Sequence, residues 1–267
     1  MSDLVDVQRG GFAWRENGTG EAVVFLHGLG GSRISWDPQL EVVGNARRAA
    51  AWDLPGYGDA APLAEQPLTF RSLADAAARW ITELSVTRAH VVGISMGGMV
   101  AQYLAAWHPA TVRSLTLLST SPAFGLDGTR PADWQAARLA PLDQGLQPAD
   151  FADRVLRSIA GPHISPSALE AQRAAMARVS SEALRRSIEC LVSHDSRPLL
   201  ATIHAPTLVL VGSLDAETPP AYSRALADHI PDASLFVVPD AGHLLNAEAP
   251  DAVNDLILAH LDRVESV

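Results

Sequence analysis

One serine lies at the centre of the sequence Gly93-Ile94-Ser95-Met96-Gly97, where an apolar run meets a helical pattern. This spacing is typical of a sharp turn from a buried strand into a helix, which holds the serine hydroxyl out above a sheet. Glycine two positions before and after the serine leaves room for the neighbouring strand and helix. Because a helix N-terminus adds unbonded N–H groups beside the hydroxyl, we predict that Ser95 is a nucleophile.

A serine hydroxyl becomes a good nucleophile only when a histidine accepts its proton and an acid orients that histidine. The chain has nine histidines, so the candidate base must be selected by its position relative to the predicted strands. His243 follows the last apolar run in a glycine-containing loop, and Asp215 follows the run before it. Since ligand sites gather at the carboxyl ends of parallel strands, we predict that His243 is the base and Asp215 its acid. Glu217 and Asp240 compete for the acid role, but Asp240 is too close to His243 along the chain to turn back easily.

Glycine-rich residues follow the apolar run 23–26 and give the sequence His27-Gly28-Leu29-Gly30-Gly31. A turn of this kind can aim backbone N–H groups at one point, as the oxyanion of an acyl-transfer intermediate requires. We predict that the N–H groups of Leu29 and Met96 form this oxyanion hole. His27 is interpreted as a brace that holds the turn by hydrogen bonding, not as a base.

The elements that must position these residues are short apolar runs alternating with longer amphipathic stretches. This alternation favours an α/β fold, a mostly parallel eight-stranded sheet with helices on both faces and an antiparallel hairpin at one edge. The predicted strands span 4–8, 11–15, 22–26, 48–52, 90–94, 112–118, 207–211 and 234–238. The predicted helices of the sheet domain span 70–84, 96–107, 220–229 and 252–261.

Residues 122–198 interrupt the alternation with four Arg- and Ala-rich amphipathic stretches, at 131–143, 148–159, 166–177 and 181–193. We interpret this segment as a helical cap inserted into a core domain of residues 1–121 and 199–267. Two independent domains are the alternative. Insertion is favoured because the strand–helix alternation resumes at Pro206 and the C-terminal part is too short to fold alone.

The bulk composition limits the classes of function. With 20 Lys+Arg and 30 Asp+Glu the net charge is −10, which disfavours nucleic acid and anionic membranes as partners. All the basic side chains are arginine, which excludes a lysine Schiff base, and the single Cys190 excludes an internal disulfide and a cysteine-rich metal site. No apolar run resembles a signal peptide or reaches the ~18 residues of a membrane helix. We therefore expect a cytoplasmic protein that acts on a small molecule without metal or organic cofactor, with a homo-oligomer left open.

Five segments in this order resemble motifs of the α/β-hydrolase family: HGLGG at 27–31, DLPGYG at 53–58, GISMGG at 93–98, GSLDAETPP at 212–220 and AGHLLNAEAP at 241–250. The resemblance covers nearly the whole chain and implies the catalytic order Ser95, Asp215, His243. In the family the turn at 53–58 shapes the floor near the site and is often followed by serine. Asp59 stands at that position here.

At a finer level, residues 95–120 and 194–220 resemble the 3-oxoadipate enol-lactonase branch and its carboxylesterase relatives. This implies hydrolysis of a small carboxylic ester or lactone through an acyl-enzyme intermediate, in the setting of aromatic-compound catabolism. Carbon–carbon bond hydrolases of ring-cleavage products and cofactor-free perhydrolases use the same three side chains and are the alternatives. A non-catalytic ligand receptor is a remote one.

Candidate pocket residues come from the turn at 27–31 and from the cap. Arg33 follows the turn and Arg138 lies in the first cap helix, and either could meet a substrate carboxylate, as a lactone acid would need. Apolar side chains of the cap are expected to form the pocket wall and exclude water. The candidate wall residues are Phe124, Trp134, Leu139 and Met176.

Overall fold

One eight-stranded sheet organises the structure, a computed structural model that describes residues 4–266. The strands are β1 (Val5–Arg9), β2 (Phe12–Asn17), β3 (Ala22–Leu26), β4 (Arg48–Trp52), β5 (Ala89–Ile94), β6 (Val112–Leu118), β7 (Thr207–Gly212) and β8 (Ala233–Val238). Their spatial order is β1-β2-β4-β3-β5-β6-β7-β8. β2 pairs antiparallel with β1 and β4, and every other pair is parallel. The predicted fold class is confirmed.

Both faces of the central strands are buried, which is why their sequences are continuously apolar. All residues of β3, β5 and β7 are buried. Along β3, Val24 and Leu26 join one hydrophobic core, whereas Val23 and Phe25 join a second core on the opposite face. Successive side chains of a strand point to opposite faces, so one apolar run supplies both cores.

Helices complete the two cores. α2 (Phe70–Glu83) and α3 (Met96–Trp107) contribute to the core that contains Leu26, and α1 (Asp37–Val43) and α10 (Pro250–Glu265) contribute to the core that contains Phe25. None of these described helices combines the length and apolar character that crossing a membrane requires. The helices are α1 (Asp37–Val43), α2 (Phe70–Glu83), α3 (Met96–Trp107), α4 (Pro131–Asp143), α5 (Pro148–Ile159), α6 (Pro166–Ala177), α7 (Ser181–Leu191), α8 (Pro220–His229), α9 (Leu245–Glu248) and α10 (Pro250–Glu265).

The inserted segment, residues 122–198, lies between β6 and β7 and contains α4 to α7. These helices occupy the four predicted stretches, although α7 ends at Leu191. α5 packs on α6, α4 packs on α7, and α6 also contacts α9 and the 3-10 turn Arg33–Trp36. The segment therefore lies against the loops at the carboxyl end of the sheet. Residues 1–3 and 267, at the ends of the predicted core range, lie outside the described residues.

Two features differ from the sequence-based expectation. α1 and α9 were not predicted, because their seven and four residues are too few to show a helical period. β8 reads as an apolar run, yet Phe236 and Val237 are 49% and 42% exposed. β8 is the last strand and pairs with β7 alone, so its side chains lack the cover that the central strands receive.

Candidate active site

Ser95 occupies the turn between β5 and α3 with φ 52° and ψ −122°. Positive φ is strained for a residue with a side chain and costs about 1–3 kcal/mol. The flanking glycines permit the turn: a Cβ at Gly93 would lie 2.5 Å from the Gly97 carbonyl oxygen, and one at Gly97 would lie 2.1 Å from that of Leu26. The Ser95 N–H donates to the carbonyl of Leu118 on β6, which fixes the turn to the sheet.

The loops after β5, β7 and β8 bring three side chains into one hydrogen-bonded row. Ser95 Oγ lies 3.0 Å from His243 Nε2, and His243 Nδ1 lies 3.0 Å from both carboxylate oxygens of Asp215. An ionised carboxylate only accepts hydrogen bonds, so Nδ1 carries the ring proton and Nε2 is left to accept the serine hydroxyl. The three residues selected from the sequence are thus brought together.

Backbone and hydroxyl donors hold the Asp215 carboxylate in place. Oδ1 accepts from the N–H groups of Glu217 at 3.0 Å and Thr218 at 2.9 Å, and Oδ2 accepts from Thr218 Oγ1 at 2.9 Å. Burial alone would raise the pKa of Asp215, but His243 and the Thr218 donors hold that pKa below its ordinary value. Asp215 is therefore an ionised partner for the imidazole. Thr218 was not singled out from the sequence, since nothing local marks a donor that turns back three residues.

His243 is 7% exposed at the bottom of the site. Burial by itself would lower the pKa of its imidazole, but the Asp215 carboxylate outweighs burial, with further contributions from Glu217 and Glu248. The pKa of His243 is consequently above its ordinary value. A base with this raised pKa has a stronger affinity for the serine proton, while it remains neutral only at pH values above that pKa.

The glycine-rich turn approaches Ser95 closely, as an oxyanion hole requires. A Cβ added to Gly28 would lie 3.1 Å from Ser95 Cβ and 3.7 Å from Ser95 Oγ. Leu29 follows in this turn and lines the cavity beside Ser95. Met96 begins α3, so its N–H has no carbonyl one turn earlier within the helix. The role of the Leu29 and Met96 N–H groups in holding an oxyanion stays a prediction.

His27 braces the turn, as interpreted from the sequence. The Leu54 N–H donates to His27 Nε2 at 2.9 Å, so Nδ1 carries the proton and donates to the Gly28 carbonyl at 2.9 Å. Complete burial lowers the pKa of His27 and keeps the ring neutral. The imidazole therefore joins the turn to the 53–58 segment and has no free nitrogen for proton transfer.

A cavity of about 610 Å³ opens beside Ser95 and His243. Its floor includes Ser95 and His243, and its lining is largely apolar. Trp134 and Met176, both predicted as wall residues, line it. Further apolar lining from the inserted segment comes from Pro141, Phe151, Leu184, Ile188 and Leu191.

The structure corrects the expectation that Arg33 binds a substrate carboxylate. Its side chain is 4% exposed and does not line the cavity. Each guanidinium nitrogen already has a carboxylate: Nη1 lies 2.5 Å from Asp53, Nη2 2.6 Å from Asp59 and Nε 3.0 Å from Asp6. The sequence places Arg33 after the glycine-rich turn but does not show that it points away from the cavity.

Phe124 and Leu139 also lie outside the cavity lining. Phe124 packs edge-on against Trp134, with ring centroids 5.4 Å apart at 75°. Its contact with the pocket is therefore indirect, through the ring that it supports. Leu139 is half-buried and packs against the hydrophobic core that contains Leu26.

Two arginines do line the cavity. Arg138 Nη2 lies 3.0 Å from both oxygens of Glu217, and its guanidinium lies 5.3 Å from the Trp134 ring centroid. Arg154, on α5, was not singled out from the sequence and has no ion-pair partner among residues 4–266. No group of three His, Cys, Asp or Glu side chains in this range is arranged to hold a metal ion.

Asp59, which the sequence left unexplained, joins the core to the inserted segment. Its Oδ2 lies 2.6 Å from Arg33 Nη2 and 2.7 Å from Arg178 Nη2 at the end of α6. The Arg33 guanidinium, together with that of Arg178, holds the pKa of Asp59 below its ordinary value. The carboxylate is thus a charged bridge between two parts of the chain that are 119 residues apart.

Comparison with known proteins places this geometry in context. Residues 23–256 match the model of the Alpha/beta hydrolase family. A protein named as the non-heme bromoperoxidase BpoC of Mycobacterium tuberculosis is 32% identical, with 95% of this chain and 98% of that protein covered. The pimeloyl-[acyl-carrier protein] methyl ester esterase of Chromobacterium violaceum is 34% identical over 85% of this chain and 88% of its own. The crystal structure of the enol-lactonase from Burkholderia xenovorans LB400 has a TM-score of 0.86 at 25% identity, covering 97% and 100% of the two chains.

Proposed function

This chain belongs to the alpha/beta hydrolase family, and on that premise we propose that it is a serine hydrolase of small carboxylic esters or lactones. One observation carries the proposal. Ser95, His243 and Asp215 form a continuous row of hydrogen bonds, each 3.0 Å long, at the floor of a largely apolar cavity. This row has the geometry that nucleophilic catalysis by serine requires.

In the acylation step, Ser95 Oγ attacks the substrate carbonyl carbon and its proton passes to His243 Nε2. Asp215 keeps the Nδ1 proton in place and stabilises the imidazolium that forms. The oxyanion of the tetrahedral intermediate accepts hydrogen bonds from the N–H groups of Leu29 and Met96. Collapse of the intermediate breaks the carbon–oxygen bond, and the leaving oxygen takes the proton from His243.

Deacylation repeats the same proton transfers with water. His243 Nε2 removes a proton from the water as its oxygen attacks the acyl carbon. The proton returns to Ser95 Oγ when the carboxylic acid leaves. A lactone follows the same course, except that the leaving oxygen stays attached to the acyl chain and water releases a hydroxy acid.

The inserted segment acts, in this proposal, as a cap that selects the substrate. It supplies most of the apolar side chains of the cavity, whereas the sheet loops supply the reacting groups. A volume of about 610 Å³ suits a small molecule. Trp134 and Phe151 are the aromatic side chains that the cap presents to it, and Arg138 and Arg154 are the cationic ones.

Ester and lactone substrates are both supported by similar proteins. One relative is named as a methyl ester esterase, and one similar structure is an enol-lactonase. Their names differ although the chains align over most of their lengths, so the family fixes the type of reaction more firmly than the substrate.

Perhydrolysis is a second candidate, favoured by the 32% identity to the protein named as a non-heme bromoperoxidase. Hydrogen peroxide would replace water in deacylation: its oxygen attacks the acyl carbon, Ser95 leaves with the proton held by His243, and a peracid is released. The peracid then oxidises bromide to hypobromite, and becomes the carboxylic acid again. Bromination of monochlorodimedone with peroxide, bromide and acetate, lost in Ser95→Ala, would establish this activity.

The test of the main proposal combines labelling and turnover. A fluorophosphonate probe should label Ser95 in the wild-type protein, with the adduct located by peptide mass spectrometry. Ser95→Ala should fold normally and lose about 10⁴-fold or more of the activity towards p-nitrophenyl esters and lactones. Absence of labelling, or wild-type turnover by Ser95→Ala, would refute the proposal.

A further inference from the structure

The backbone N–H groups of Gly242, His243 and Leu244 each donate a hydrogen bond. The Gly242 N–H donates to Glu248 Oε2 at 2.7 Å and the Leu244 N–H donates to Glu248 Oε1 at 2.9 Å. The N–H of His243 itself donates to the carbonyl of Ile159, the last residue of α5, at 3.1 Å. One carboxylate therefore holds the loop on both sides of the imidazole, and the inserted segment holds it in the middle.

The same carboxylate also binds the inserted segment. Glu248 Oε2 accepts a hydrogen bond from the Gly161 N–H at 2.9 Å, in the loop that follows α5. The backbones at this junction are in close contact, because a Cβ on Gly242 would lie 2.3 Å from the Gly161 nitrogen. A Cβ on Gly161 would lie 2.4 Å from Glu248 Oε2 and 2.7 Å from the Gly242 nitrogen. The junction leaves no space for a side chain at either glycine.

We propose that Glu248 is a positioning residue, which fixes the imidazole of His243 towards Ser95 and makes this position depend on the inserted segment at residues 159–161. The inference rests on the proposed function, since it assigns a role in the same reaction. Glu248 touches no reacting atom, and its effect passes through the backbone on both sides of His243.

A carboxylate meets the demands of this position better than any close substitute. Its two oxygens only accept, and three N–H groups converge on them. Glutamine would keep one accepting oxygen and turn an NH2 group towards at least one of these donors. Aspartate would keep the charge, but it is one methylene shorter and would lose part of the contact.

The effect of the Glu248 charge on the pKa of His243 can be separated from its effect on the position of the imidazole. Other charged groups also face His243. Asp215, Glu217 and Glu248 all raise the pKa of the imidazole against the effect of its burial. Arg138 lies beside them but is paired with Glu217. Removing the charge of Glu248 should lower the pKa of His243, whereas disturbing the junction without removing charge should not.

The first test measures the kinetics of Glu248→Gln and Glu248→Asp on a p-nitrophenyl ester from pH 5 to 9. Both variants should lose roughly 10- to 100-fold in kcat, because a small misplacement of a catalytic group lowers the rate strongly. Their KM should stay within about threefold of the wild-type value. The acidic limb of kcat/KM should move to lower pH in Glu248→Gln and stay in place in Glu248→Asp. Glu189→Gln, on the exposed side of α7, is the matched control and should match wild type in all three respects.

The second test approaches the junction from the inserted segment. Gly161→Ala should reproduce the loss of kcat and slow the labelling of Ser95 by a fluorophosphonate, with no shift of the acidic limb. Combining Gly161→Ala with Glu248→Asp should cost less than the sum of the two losses, since both act on one contact. Thermal unfolding of each variant shows whether it is folded at the assay temperature.

The outcomes separate this inference from the proposed function. If wild-type protein is neither labelled nor active, the proposed function fails and so does the inference. If wild-type protein is active while folded Glu248→Asp or folded Gly161→Ala keeps wild-type kcat, the inference alone is overturned. Gly161→Ala decides the matter if the Glu248 variants do not fold.

Discussion

Arg138 Nη2 lies 3.0 Å from both carboxylate oxygens of Glu217, so α4 of the inserted segment is joined to the loop that carries Asp215. Both side chains of this pair line the cavity. The guanidinium is therefore partly neutralised by the protein itself. A substrate carboxylate that approached Arg138 would have to compete with Glu217.

Glu217→Gln should strengthen binding of acidic substrates by releasing Arg138. We expect KM for a carboxylate-bearing p-nitrophenyl ester to fall about two- to fivefold, because partly exposed ion pairs are typically worth about 0.2–1 kcal/mol. KM for a neutral ester of equal size should change little. The double variant with Arg138→Gln should lose the gain, and an equal change for both esters would contradict this account. The assays are run at one pH above the acidic limb of each protein.

The pH dependence of the reaction should reflect the raised pKa of His243. The imidazole must be neutral to accept the proton of Ser95, so kcat/KM should fall as pH drops through that pKa. Because Asp215 holds the pKa above its ordinary value, the half-maximal point should lie above about 6.5. In Asp215→Asn the remaining activity, about 10⁴-fold lower, should have its acidic limb at lower pH. A half-maximal point below about 6.5 in the wild type would contradict a raised pKa of His243.

The ion pair between Arg33 and Asp53 should stabilise the fold more than the ion pair between Arg33 and Asp59. Asp53→Asn leaves a buried guanidinium without its fully buried partner, which we expect to lower the free energy of unfolding by about 3 kcal/mol. The Asp59 side chain is 42% exposed, so Asp59→Asn should cost about 1 kcal/mol or less. Urea unfolding at pH 7 measures both. Equal losses would show that burial does not govern this cluster.

Trp134→Ala should enlarge the cavity and weaken binding of small substrates. We expect kcat/KM for a short neutral ester to fall roughly 10-fold, mainly through KM, because an aromatic wall residue is removed. Phe124→Ala is a matched control, since Phe124 packs on the Trp134 ring from outside the cavity. Its effect on KM should be smaller. A larger effect from Phe124 would mean that the pocket wall is wrongly assigned.

Local patterns in the sequence were sufficient to predict most of the strands and helices. The β5 turn could be predicted because a buried strand, a glycine-flanked serine and a helix are adjacent in the chain. α3 and α8 have the same ends in sequence and structure, since their first and last residues are marked by local signals. Asp215 and His243 could be chosen because parallel strands bring their carboxyl ends to one edge of the sheet.

Partners that are distant in the chain could not be predicted. Arg33 has a sequence position that suits a substrate contact, but three carboxylates from other segments bind it. The role of Asp59 depends on Arg178, which is 119 residues away. Glu248 lies five residues after His243, but its contact with Gly161 depends on how the inserted segment folds back. Side-chain direction and long-range pairing are set by packing, which no local pattern reveals.

Because helices α4 through α7 lie between β6 and β7, the chain keeps the candidate catalytic residues and most of the cavity wall on separate segments, which can evolve independently. Ser95, Asp215 and His243 follow strands whose register the sheet fixes, whereas most of the cavity lining comes from residues 122–198. Under the proposed function, we expect mutations in this segment to change which molecules are accepted while the chemistry is preserved. We expect residues 159–161 to be the exception, because under the proposed role of Glu248 a change there moves the imidazole and alters the rate for every ligand.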